Sequence, residues 1–134
     1  MEEGTAEYLK SLDEEKKIIE ELNKKYLEKK EIAKASLAGL QKEVIQLNGE
    51  ITFSDDGHIT NSAKVLSGLQ NQINAVITEF NNSKDAAEQE ILEAELEALE
   101  AHYESLEKAI NQYRDTLDLI REIDQTLQEN HYAL

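Results

Sequence analysis

Apolar residues recur every seven positions along two stretches of this chain. One series runs through Leu92, Leu99, Leu106, Tyr113, Ile120 and Leu127, the other through Leu12, Ile19, Tyr26, Ala33, Leu40 and Leu47. A seven-residue beat keeps one face of an α-helix apolar along its whole length, and that face is buried by lying against another helix. These positions are therefore the predicted helix seams and self-association residues. In the first stretch the second seam position wanders among Leu9, Leu22, Leu37 and Val44, while Lys29 and Ser36 stand where a two-stranded zipper would carry leucine. Packing against more than one neighbour accounts for that better than a simple dimer. Gly39 costs helix stability and marks a kink or a close helix approach.

The pattern changes between the two stretches. Ile51-Thr52-Phe53 and His58-Ile59-Thr60 are short β-prone runs around Asp56-Gly57, a favoured turn pair, and predict a small β-hairpin over residues 50–60. Phe53 with Ile59 or Ile51 would cap the end of a helical bundle. Leu66, Leu69, Ile73, Val76, Ile77 and Phe80 then form an apolar stripe.

The predicted helices span about 5–48, 62–81 and 84–130. Thr5 caps the first and Asn48-Gly49 stops it; Asn61 or Ser62 caps the second; Ser83 caps the third, with Asp85 in its first turn. The expected fold is all-α: a single elongated coiled-coil domain over 1–134, made of two long helices and one shorter helix with the inserted hairpin. If the connections at both junctions reverse direction, the third helix runs back beside the other two. Whether residues 81–84 form a turn or a kink in one continuous helix, and whether the long helices pair parallel or antiparallel, is left open by the pattern.

Composition strengthens the helical reading, since the chain contains no proline. Its 29 acidic against 14 basic residues give a net charge of -15, which repels nucleic-acid backbones and anionic lipid. No direct nucleic-acid binding is expected. The absence of cysteine excludes disulfides, thiolate metal sites and cysteine nucleophiles. The Met-Glu-Glu-Gly start is unlike a signal peptide, and no apolar run approaches the roughly 20 residues that span a bilayer, so no export address and no membrane segment are expected.

Charge is uneven: Lys24, Lys25, Lys29, Lys30 and Lys34 cluster in the first helix, whereas residues 85 to 107 carry carboxylates with neither lysine nor arginine. Glu93, Glu97, Glu100, Glu104 and Glu107 alternate spacings of four and three and so share one helical face. With the leucines facing inward, that face points to solvent; its functional reading is a surface for a basic partner, carried by Glu93, Glu97, Glu100 and Glu104. His58, His102 and His131 lack the spacing of a bundle metal site, and Asp55-Asp56-Gly57 lacks the alternating ligands of a calcium loop. Tyr8, Tyr26, Tyr103 and Tyr113 lie at or beside seam positions, where a ring fills space. No phosphate loop, nucleophile elbow or dinucleotide fingerprint is present. Catalytic residues, cofactors and metals are all expected to be none.

The run Asn48-Gly49-Glu50-Ile51-Thr52-Phe53-Ser54-Asp55-Asp56-Gly57-His58-Ile59-Thr60-Asn61 and the acidic heptads from Ala94-Glu95-Leu96-Glu97-Ala98-Leu99 to Ala109-Ile110-Asn111-Gln112-Tyr113 carry a resemblance. In this order of long charged helix, Asn-Gly, short strand, Asp-Asp-Gly, short strand, Asn, apolar helix, polar break and acidic Leu/Tyr heptad helix, nearly the whole chain resembles a region of bacteriophage and prophage tail tape measure proteins, a coiled-coil region with an inserted β-hairpin. The resemblance implies an excised piece of a longer rod-like protein, with Met1 as an expression start. It implies a structural role in tail length and assembly, with the chain itself or other tail proteins as partners. The corresponding location is the virion tail or the bacterial host cytoplasm. It brings no catalytic residues. The competing readings are an acidic helical binding module, either a partner-protein adaptor or a nucleic-acid mimic, and a self-contained three-helix adaptor.

Overall fold

A computed structural model describes residues 2–133, with side chains over 5–131. The chain is helical throughout apart from two connections, with α1 at Glu2–Leu47, α2 at Ser62–Asn82 and α3 at Ala86–Ala133. These bounds differ from the predicted spans at their ends. Thr5 lies inside α1 rather than at its cap, and α3 starts beyond residue 84 and continues past 130. α1 stops where expected: the Asn48 amide still donates to Val44 O, and the Asn48 side chain then accepts the Glu50 N–H.

Residues 83–85 break the helical run, so α2 and α3 are separate. Ser83 adopts extended backbone and its amide donates to Glu79 O and Phe80 O, closing α2. The cap of α3 is Asp85, whose carboxylate accepts the Ala87 N–H, and not Ser83. Ser83 instead anchors the turn from outside, its carbonyl accepting from the Gln89 side chain at 2.8 Å.

The predicted hairpin is not formed. Phe53 and Ile59 make one isolated antiparallel bridge, and no strand occurs among the described residues. A continuing ladder needs two bonds at each flanking pair, and each pair has only one. Thr60 N–H donates to Thr52 O, but the Thr52 amide is taken by the Asn61 side chain at 2.9 Å. Ser54 N–H donates to His58 O, but the His58 amide turns to the Ser54 hydroxyl. The result is a closed surface loop. Its foot is tied by Asn61, which also donates to Glu50 O at 2.7 Å, and its tip turns at Gly57, where φ is 88°. Asn61 occupies the N-cap position of α2 yet makes no cap bond, because the loop has taken its side chain.

Contacts group the chain into two compact units. One joins Met1–Leu37 to Thr116–Leu134, and the other spans Ala38–Asp115. In the second unit Val44, Leu106, Ile110 and Tyr113 are fully buried, together with the Val65, Leu69, Ile73 and Val76 face of α2. α3 returns alongside α2: the Tyr113 hydroxyl donates to Gly57 O at 2.5 Å, just ahead of the start of α2. The Phe53 ring meets Tyr113 edge-on, with centroids 5.4 Å apart, so Tyr113 holds the loop against α3.

In the first unit α1 and α3 run antiparallel. Asn130 donates to Asn23 at 2.9 Å and Lys30 meets Asp124, so the partner number falls on α3 as it rises on α1. Ala33 and Ile123 are the buried residues of this pair. Among the described residues no helix is long and apolar enough to cross a membrane.

Candidate association surface

The α1–α3 pairing of the first unit fixes how far the described residues of α3 reach along α1. Asn23 faces Asn130, and α3 ends at Ala133, less than one turn further on. At 1.5 Å per residue, α1 extends roughly 25 Å beyond its partner. The apolar seam does not stop there. Tyr8 (64% exposed), Leu9, Leu12 (39%) and Ile18 lie on this stretch and Leu22 just inside the paired part, all of them exposed, with Leu9 and Ile18 on opposite sides of the helix. The stripe continues the helix face that packs on α3 at Tyr26 and Ala33, since Leu12, Ile19, Tyr26 and Ala33 are seven apart.

The same unit also holds an apolar groove. A depression of about 420 Å³ runs along one side of the α1–α3 pair, walled by Tyr26, Lys29, Ile32, Ala33 and Ser36 from α1 and by Thr116, Leu119, Glu122, Ile123 and Thr126 from α3. Ile32 stands at its rim 71% exposed and Leu119 46% exposed. Lys29 lies over the Tyr26 ring, its Nζ 5.6 Å from the centroid, which lays the lysine stem along the apolar floor.

The predicted seam residues fall into different surroundings. Leu92, Leu106 and Tyr113 are buried; Ile19, Tyr26, Leu40, Leu47, Leu99, Ile120 and Leu127 are half-buried; Leu12 is exposed. Glu93, Glu97, Glu100 and Glu104 are all exposed on α3. Among the described residues no cluster of three or more His, Asp or Glu could hold a metal ion, and no charged side chain is buried. The Ser54 hydroxyl bonds the Asp56 carboxylate and, with the His58 ring 3.5 Å away, holds that acid below its ordinary pKa. Burial pushes the Tyr113 phenol above its ordinary value.

Ile32 and Leu119 were not singled out by the heptad beat, because each lies one position off it, beside Ala33 and Ile120. The available signal was a pair of large apolar residues flanking two seams at the same offset. Comparison with protein-family profiles, with curated proteins and with solved structures yields no match. The functional reading therefore rests on the geometry of the chain.

Proposed function

We propose that this chain is a structural helical segment whose work is to associate with itself, in the manner of the tail tape measure proteins whose helix, loop and heptad order it resembles. The observation that carries the reading is the set of large apolar side chains exposed on α1 and α3 of the first unit, Tyr8, Leu9, Leu12 and Leu22 along α1 and Ile32 and Leu119 at the groove. A scattered exposed leucine is ordinary, but several large apolar side chains exposed along one helix pair make a surface that associates. In a tail, such segments would add length through helices of roughly 70 Å each and join end to side through their seams.

Light scattering coupled to size exclusion tests this. The expected mass is a multiple of the single-chain mass, falling toward one chain when Leu12 and Ile18 are both changed to Glu. A wild-type chain that stays monomeric at every concentration tried would overturn the reading.

A further inference from the structure

We propose that Asn48-Gly49 is a self-modifying link, at which the chain converts Asn48 to aspartate and isoaspartate through a cyclic imide and so loosens the foot of the loop. The reaction needs the N–H after the asparagine to be accessible and unengaged. Gly49 is exposed, carries no Cβ to hinder attack, and stands just past the end of α1. Residues 48–51 form a turn: the Ile51 N–H donates to Asn48 O at 3.4 Å and the Glu50 N–H donates to Asn48 Oδ1 at 2.9 Å. Among the described residues no acceptor takes the Gly49 N–H. The Glu50 N–H also sits on the oxygen that gains charge when Asn48 Cγ is attacked.

Solvent base removes the Gly49 amide proton, and the nitrogen bonds to Asn48 Cγ. The Asn48 side-chain nitrogen leaves as ammonia, with a proton returned by solvent. Water then opens the imide at either carbonyl. One opening gives aspartate with the backbone path unchanged; the other gives isoaspartate, in which the chain runs through the former side chain.

The fold closes the same route elsewhere. At Asp56-Gly57 the Gly57 N–H donates to Ser54 O at 3.0 Å, and the Ser54 hydroxyl keeps the Asp56 carboxylate ionised and so a poor electrophile. After Asn82, the Ser83 N–H is taken by Glu79 O and Phe80 O. The Asn61 side chain is bonded through both its oxygen and its nitrogen. Asparagines within the helices precede amides held in helical bonds.

The two products act differently on the loop. In isoaspartate the old peptide carbonyl becomes a loose carboxylate and the path into the loop gains a carbon, so the acceptors of the Glu50 and Ile51 amides are both displaced beside the buried Ile51. Aspartate keeps the path and adds a negative charge at the C-terminal end of α1, where the helix dipole disfavours it.

The experiment holds the folded full chain and a peptide of residues 44–53 in mildly alkaline buffer and follows each asparagine by peptide mapping with mass spectrometry. Conversion at Asn48 in the folded chain is expected to stay within about tenfold of the peptide rate and to exceed that at every other asparagine by about tenfold or more. Gly49→Ala, whose Cβ would meet nothing within 4 Å, is expected to keep the fold and slow conversion about tenfold. The isolated isoaspartyl chain is expected to melt below both the unconverted chain and the Asn48→Asp variant. An Asn48 still intact in the folded chain once the peptide has converted, or a Gly49→Ala chain converting at the wild-type rate, would overturn the site. An isoaspartyl chain that melts with the unconverted one would overturn the loosening.

Discussion

The unit spanning Ala38–Asp115 and the α1 extension use the same apolar vocabulary and reach opposite ends. In the former, Val44 and Leu106 are 0% exposed and Tyr113 of α3 is buried under the loop; in the latter, Leu12 on the beat and Tyr8, Leu9 and Ile18 off it face water. Intrinsic helix preference does not separate the two, since both are continuous helix. Neighbour supply separates them. α2 and the loop give the inner seam a second and third surface, whereas the described residues of α3 reach along α1 only to about the position opposite Ala133. A heptad seam states that a partner is needed, and the register of the other helices decides whether the chain itself provides one.

The sharpest way to break this contrast is truncation on each side of it. Leu106→Ala is expected to cost about 2–5 kcal/mol in a denaturant titration, because a fully packed site leaves a cavity. Leu12→Ala, measured at a dilution where chains are separate, is expected to cost less than about 0.5 kcal/mol. Equal losses at the two positions would mean that the extension is covered in the single chain.

Smaller changes sharpen the account of the inner unit. Gly57→Ala is expected to destabilise by about 1–2 kcal/mol, since a φ of 88° strains any Cβ-bearing residue. Tyr113→Phe is expected to lose about 1 kcal/mol with the bond to Gly57 O, and to change the alkaline limb of the stability curve.

The sign of that limb follows from burial raising the phenol's pKa in the folded state. Its contribution is whole below the unfolded value of about 10 and declines as pH rises toward the folded one. Thermal unfolding from pH 8 to 11 should therefore fall less steeply in the Phe variant. Asp56 has the opposite sign: its contribution is present above the ordinary carboxylate range and is lost as pH falls through its lowered value.

The smallest expected effect is a gain. A Cβ at Gly39 would meet nothing within 4 Å, so Gly39→Ala should stabilise α1 by about 0.5–1 kcal/mol. The open space also removes the close helix approach that the sequence suggested there.

The three helices were legible because seven-residue spacing over many turns has no other structural meaning. Their termini were less so, because a cap depends on where neighbouring side chains are already committed. Asn61 is the case in point: an excellent cap by type, it is held by Glu50 and Thr52 instead. The same commitment undid the hairpin, whose turn chemistry at Asp56-Gly57 was read from the residues but whose ladder was diverted by the Asn61 and Ser54 side chains. The groove was invisible in the sequence, since it exists only once the 23-to-130 register of α1 and α3 is known, and no periodicity within one helix encodes that register.

The division of the chain also orders its synthesis. Residues 38–115 are contiguous and can condense as they leave the ribosome, but Met1–Leu37 must wait until Thr116–Leu134 has been translated. During that interval the α1 seam from Leu12 to Ala33 has no helix of its own chain against it. On a polysome, where sister chains emerge side by side, it is positioned to meet one of them before its own mate exists.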